Sequence, residues 1–395
     1  MPWACMSHLK STGVYAFGNA SIGLIGIALT VQLGWLLGSD GFGVLASLIA
    51  LQNIWAALGF MRIETRLATS ANGVEADKIM LAGFLVGGLI SAVLSLSVGL
   101  LWGWGSQYPL VFVSGFALSV LDALAIRHAL GARPRSVIGA RTARILGPLL
   151  LFLLATVWSH RPYDVFLWQS LGMLCLSLAM WRRWIGLERW CRVCGKVLLR
   201  HWRGLLPSLV LCLLNGVWLN GLTPLLNAYA SSAQAGQFAM LQRVLGGSIG
   251  LISTATAMVF AQSDHVRPVL LQVQRIFLVN LACSVGFCLF AAIAFLGGWV
   301  TWILGKGWAY QTDLFLSASL FFTVSYSIGA ISVLAVRLRD EWFMTQWQAV
   351  SLLIWCAIFM LLPSGISILY ALNLGALMYI GLGLRWYILL KKIND

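Results

Sequence analysis

The chain of 395 residues is 60% hydrophobic, with a mean hydropathy of +0.88, and only 10% of its residues are charged. Soluble domains carry roughly a quarter charged residues, so no water-soluble fold could hide this much apolar surface. The formal net charge of +14 would point to nucleic acid in a soluble protein. Here the Lys and Arg residues sit in the connections between apolar stretches, where they report membrane orientation and no nucleic-acid partner is expected.

Apolar segments recur along the whole chain, at 14–37, 43–61, 79–101, 110–126, 145–158, 165–181, 205–226, 237–260, 276–298, 314–336, 345–362 and 366–390. The fifth and sixth are shorter than the roughly 20 residues that a span needs, and they borrow flanking Trp, Tyr and Arg. The opening MPWACMSHLK lacks the ordered regions of a cleaved secretory signal, so the first segment is expected to stay as a span. Basic residues alternate between the connections with near completeness. One side collects Lys10, Arg62, Arg66, Lys78, Arg127, Arg133, Arg135, Arg141, Arg144, the cluster from Arg182 to Arg203, Arg267, Arg275, Arg337, Arg339, Arg385, Lys391 and Lys392; the other holds Arg161 and Lys306. A missed or invented span would scramble this pattern from that point on, so an even number of spans with both termini cytoplasmic is predicted.

The predicted fold class is therefore an all-α membrane protein of about 12 transmembrane helices. Its longest connection, at 182–204, is basic and separates an N-terminal lobe at 1–181 from a C-terminal lobe at 205–395, six helices each. Within that connection Cys191 and Cys194 form a CxxC followed by His201, but a structural zinc site wants four ligands and no second pair follows. The other cysteines read as small packing residues, and no cofactor or metal is expected. A weak repeat joins the lobes: Asp40-Gly41-Phe42-Gly43-Val44-Leu45-Ala46 is echoed by Ala233-Gln234-Ala235-Gly236-Gln237-Phe238-Ala239, in the same membrane direction. Such a parallel repeat is common in transporters.

Polar side chains in hydrocarbon are costly unless they face a bundle interior or water, so their helical phase carries information. In the second span Gln52, Trp55, Gly59, Arg62 and Arg66 recur at spacings of three and four, with Asn53 beside them. They form a track from mid-membrane to a doubly cationic mouth. The first span aligns Tyr15, Asn19, Gly23, Gly26 and Thr30, whose small members serve helix contact equally well. Arg243, with Gln242 beside it, is a cation some two turns inside a predicted span; it either snorkels to the headgroups or meets an anion such as phosphate. Asp122 is the one carboxylate in a span, a candidate for an ion pair or for coupling and gating. Asn215 and Asn220 lie in the seventh span, lining it or bonding to a neighbouring helix. Trp55 and Trp218 sit near mid-membrane, suited to packing or to stacking on a sugar. Nothing resembles a phosphate-binding loop, a HExxH helix or a nucleophile elbow, so an enzyme is not expected.

The run YAFGNASIGLIGIALTVQLGWLLGSDGFGVLASLIALQNIWAALGFMRIETRLA resembles the opening of polysaccharide-unit flippases, the O-antigen and exopolysaccharide branch of the multidrug/oligosaccharidyl-lipid/polysaccharide exporter superfamily. ALAIRHALGARPRSVIGARTARILG and SIGAISVLAVRLRDEWFMTQWQAV are similar to that family's stretches after the fourth and tenth helices. The resemblance implies two six-helix lobes with alternating access in the bacterial inner membrane. It implies a polyprenyl-pyrophosphate-linked glycan as substrate and polysaccharide polymerase machinery as a partner. On that basis the pyrophosphate docks at Arg62, Arg66, Arg141 and Arg144, and the sugar passes Gln52, Trp55, Asn215 and Arg243. Drug exporters of the superfamily often carry a carboxylate in the first helix, and residues 14–37 contain none. Two rivals stay open: a general secondary transporter for drugs or small solutes, and a membrane polymerase or ligase of lipid-linked sugars.

Overall fold

The computed structural model describes residues 2–59, 73–102, 107–130, 134–181, 209–210, 212–250, 252–253, 256, 270–308, 312–331, 334 and 340–394. These are almost entirely helical. Seven of their helices are long and apolar enough to cross a membrane, which makes the chain a multi-pass membrane protein.

Five helices come first: α1 (Pro2–Leu58), α2 (Gly73–Trp102), α3 (Tyr108–Leu130), α4 (Pro134–Thr156) and α5 (Pro162–Trp181). After helical residues 212–220 come α6 (Leu222–Tyr229) and α7 (Ser232–Leu241), which runs into a π turn at Gln242–Gly246. The series closes with α8 (Leu270–Leu296), α9 (Trp299–Leu304), α10 (Thr312–Gly329), α11 (Glu341–Leu361) and α12 (Ser364–Asn394).

Two differences from the hydropathy reading have local causes. The segments expected at 14–37 and 43–61 are joined in α1, broken only at Gly38, whose φ of 67° and ψ of 177° turn the chain without a loop. Positive φ of this kind costs a side-chain-bearing residue energy and costs glycine none. The fifth segment, expected at 145–158, belongs to a helix that begins at Pro134. Hydropathy sees only its apolar half, because the first turns carry Arg135, Arg141 and Arg144; Pro at the first helical position suits that start.

The residues fall into two compact units that do not follow chain order. The first comprises Met1–Leu29 and Val44–Pro224, the second Thr30–Gly43 and Leu225–Asp395.

In the first unit α3 is the hub, packing on α2, α4 and α5, and it is the most deeply enclosed of the long apolar helices. Its inward face carries Phe116, Ala117, Val120, Leu121 and Leu124, against Ile79 and Met80 of α2, Met173 of α5 and Trp181 at the end of α5. Phe84 stacks on Trp181 with ring centroids 4.4 Å apart. Lipid tails are as apolar as these side chains, so contact density and not exclusion of water holds such helices together. Small residues create it: a Cβ at Gly115 would stand 2.8 Å from the Gln52 carbonyl oxygen, so the backbones touch.

In the second unit α10 is the hub, packing on α8, α12 and the π turn. Phe321 lies among Phe322, Trp355 and Tyr379, with centroid separations of 5.4, 6.0 and 6.2 Å. The buried Trp355 indole donates to the Ala371 carbonyl at 2.9 Å, so its polar edge is satisfied inside the apolar core.

Candidate functional site

The second unit contains Arg243, a cation placed inside a predicted span. Ser231, extended at φ −154°, caps α7 by accepting the Gln234 amide at 3.2 Å, and the helix then loosens into the π turn. A π turn carries an extra residue and shifts the helix out of register, a device frequent at functional sites. Gly246 and Gly250 bring the following backbone against Tyr326 and Phe322 of α10, where Ser253 Oγ donates to the Tyr326 carbonyl at 2.7 Å.

Arg243 sits within this turn, half-buried. Its Nη1 donates to Thr30 Oγ1 at 3.4 Å, and its Cζ stands 5.9 Å from the centre of the Phe42 ring. Phe42 in turn meets Trp308 edge-on at 5.7 Å. Among the described residues no carboxylate pairs with Arg243; the ion pairs there are Asp77 with Arg127, Asp122 with Arg144, and Asp340 with Arg385. A guanidinium with one long hydrogen bond and a distant ring retains most of its five donors. It can take an anionic oxygen pair from a ligand through its planar fork.

The first unit holds the polar track. Gln52 is fully buried and its Nε2 has no acceptor, while its carbonyl lies against Gly115. Asn53 is half-buried beside it. Trp55 donates from Nε1 to Ser91 Oγ at 2.9 Å and meets Phe112 edge-on at 5.2 Å, so its indole is engaged within the unit. Asp122 pairs with Arg144 across α3 and α4, and both side chains are partly exposed. Asn220 bonds back to the Gly216 carbonyl of its own helix at 3.1 Å, and Asn215 is exposed. Gln242 is half-buried beside Arg243. Arg62, Arg66, the side chain of Arg141, the 182–204 connection and the Cys191–Cys194 pair lie outside the described residues.

Three features carried no sequence signal strong enough to single them out. Trp308, in the short connection after α9, is buried with its Nε1 unpartnered and packs beneath Phe42 and Gly34. Asn280 of α8 donates to Thr256 Oγ1 at 2.9 Å, joining two apolar segments. Asp340, at the start of α11, takes Arg385 of α12.

These features define a class: a polytopic helical membrane protein of two compact units, each built round one hub helix, with a cation set in an otherwise apolar helix. The fold has solved counterparts. The chain superposes on an inward-facing multidrug resistance MATE family transporter of the MOP superfamily with a TM-score of 0.54 and 13% identity, covering 96% of this chain and 100% of that one. It superposes on a chain named protein A with a TM-score of 0.57 and 13% identity, over 96% and 95% of the two. No protein-family model matches the sequence, and no curated protein does. What the chain shares with these structures is the fold; the polysaccharide branch that the sequence resembles has no support from these likenesses.

Proposed function

We propose that this protein is an alternating-access secondary transporter of the inner membrane, with twelve spans in two six-helix lobes and both termini cytoplasmic. The observation that carries the reading is the likeness in fold to a multidrug transporter over 96% of the chain and the whole of its counterpart. An architecture retained across such a length at 13% identity is one whose packing, and not whose side-chain chemistry, is shared. Export of a drug-sized organic solute is the substrate class that fits this likeness best, ahead of the lipid-linked glycan that the sequence suggests. No step in such a cycle calls for a cofactor or for enzymatic chemistry.

A second reading, flipping of a polyprenyl-pyrophosphate-linked glycan, is favoured by one observation: Arg243 has no carboxylate partner among the described residues. A cation left open in an apolar helix suits an anionic substrate better than the cationic solutes it would repel.

Purified protein in proteoliposomes decides between the two. Accelerated passage of a fluorescent drug over protein-free vesicles supports the exporter. Passage of a fluorescent polyprenyl-pyrophosphate glycan alone moves the assignment to the second reading. Acceleration of neither overturns transport itself.

A further inference from the structure

Helix α8 is the least enclosed of the seven long apolar helices. Its 27 residues rise about 40 Å, more than the roughly 30 Å of a bilayer's hydrocarbon, so its ends reach headgroup level. Toward its C-terminal end Leu289, Phe290, Ile293 and Leu296 are exposed, and this lipid-facing surface runs directly into α9. The short helix is set off from its neighbours. Its six residues stand between Gly298 at φ 84° and Gly305 at φ 95°, two left-handed positions that turn the chain at either end and that glycine adopts without cost.

Within α9 Trp299, Trp302 and Ile303 stand three and four positions apart, on one face of one turn, and they are exposed at 60%, 87% and 51%. The rest of the segment is tied down. Leu304 is buried, the Trp302 amide donates to the Gly298 carbonyl at 2.9 Å, and the Gly305 amide donates to the Thr301 carbonyl at 2.9 Å. Directly afterwards Gln237 Nε2 donates to the Gly307 carbonyl at 3.3 Å, and Trp308 is buried against Phe42. The aromatic face therefore points away from the second unit. In water it would leave two of the largest apolar side chains uncovered, and in hydrocarbon an indole N–H finds no acceptor. An apolar body with a single donor suits the layer between them, where acyl chains meet glycerol and phosphate oxygens.

We propose that α9 is an interfacial anchor: it lies in the plane of the membrane at the headgroup–acyl boundary, with Trp299 and Trp302 as its lipid contacts, and ties the connection that carries Trp308 to the bilayer surface. The partner is the lipid interface itself, selected over another protein by the continuity of this face with the lipid-facing side of α8. The inference goes beyond the transport reading and does not rest on it, and its test needs no substrate.

The experiment places one nitroxide-labelled cysteine in the full-length protein, with its native cysteines replaced by serine, in vesicles of phosphatidylcholine and phosphatidylglycerol. Ile303→Cys leaves both tryptophans in place; Leu289→Cys marks the lipid-facing side of α8, and His160→Cys marks the exposed connection before α5. Collision with oxygen, which concentrates in hydrocarbon, and with a water-soluble nickel chelate reads the depth of each label. Nickel access at 303 should lie several-fold below that at 160 and several-fold above that at 289. Trp299→Cys should report the same depth as Ile303→Cys, whereas a helix standing upright would separate the two by about 6 Å. Adding Trp299→Ser and Trp302→Ser to the Ile303→Cys protein should raise nickel access at 303 toward the level at 160, while the label at 289 in the same background stays at its depth and reports an intact fold. Nickel access at 303 equal to that at 160 or at 289 overturns the anchor, as does a label shielded from both reagents, the sign of a protein partner or a second copy. Unequal depths at 299 and 303 overturn the flat placement, and an unmoved label in the double serine variant overturns the role of the tryptophans. The depths at 299 and 303 decide the placement on their own, before any double variant is made.

Discussion

Arg385 holds Asp340 through two parallel hydrogen bonds, Nε to Oδ2 at 2.9 Å and Nη2 to Oδ1 at 2.7 Å, while its Cζ lies 3.6 Å from the centre of the Phe343 ring. The pair ties the start of α11 to the last third of α12. Arg385 is 40% exposed, so solvent screens the charge, and the pair contributes about 1 kcal/mol, well short of a fully buried one. Arg385→Lys keeps the charge and loses both the fork and the stacking surface. It should lower the thermal unfolding midpoint in detergent nearly as far as Arg385→Ala does; a lysine variant as stable as the parent would show that charge alone suffices.

At Arg243 stability and function should separate. The 3.4 Å bond to Thr30 is long, so Arg243→Ala should cost no more than about 1 kcal/mol in thermal unfolding. If Arg243 reads an anionic group, the same variant should lose at least about tenfold in transport of anionic substrates, the equivalent of one charge-assisted bond. Transport of cationic solutes should hold or rise. Equal loss for both classes, with the protein normally folded, would place Arg243 in the mechanics of the cycle and not in recognition.

The buried Gln52 amide, with Nε2 unpartnered, is expensive where it stands. An unsatisfied buried donor costs about 1–3 kcal/mol, so Gln52→Leu should leave stability unchanged or raise it, as a thermal shift would read. Transport by this variant should fall if the amide serves a substrate in another state of the cycle. Undiminished transport would make Gln52 a packing residue only.

Asp122 and Arg144 form an ion pair between α3 and α4 with both side chains a third or more exposed. Asp122→Asn should destabilise by about 1 kcal/mol or less, as partly solvated pairs do. Exchange of the two, Asp122→Arg with Arg144→Asp, should recover most of that loss, by the logic of a double-mutant cycle. If Asp122 instead couples transport to protons, the exchanged protein would recover stability and remain inactive at every pH.

The long apolar helices were legible because hydropathy is a local property: twenty successive side chains report their solvent with no reference to the rest of the chain. Helix ends were less so. The basic first turns of α4 are helical although no hydropathy window marks them, and Gly38 breaks α1 without the polar loop that would announce a boundary. The polar candidates were found by phase along single helices, and the structure then distributes them. Gln52 and Trp55 go into the first unit, Arg243 into the second, and Asn220 onto its own helix. Phase tells which residues share a face; it does not tell what that face meets.

Composition and pattern alone thus determined that this chain is a helical membrane protein, because apolarity and charge alternation are read along one dimension. Only the tertiary structure decided that Thr30 receives Arg243 across 213 positions and that Gly43 and Gly236 touch. It alone assigned Thr30–Gly43 to the unit formed with residues 225–395. Those facts depend on which helices approach closely enough for backbones to meet. Approach in lipid is set by the joint fit of many small surfaces, a property that no single segment carries.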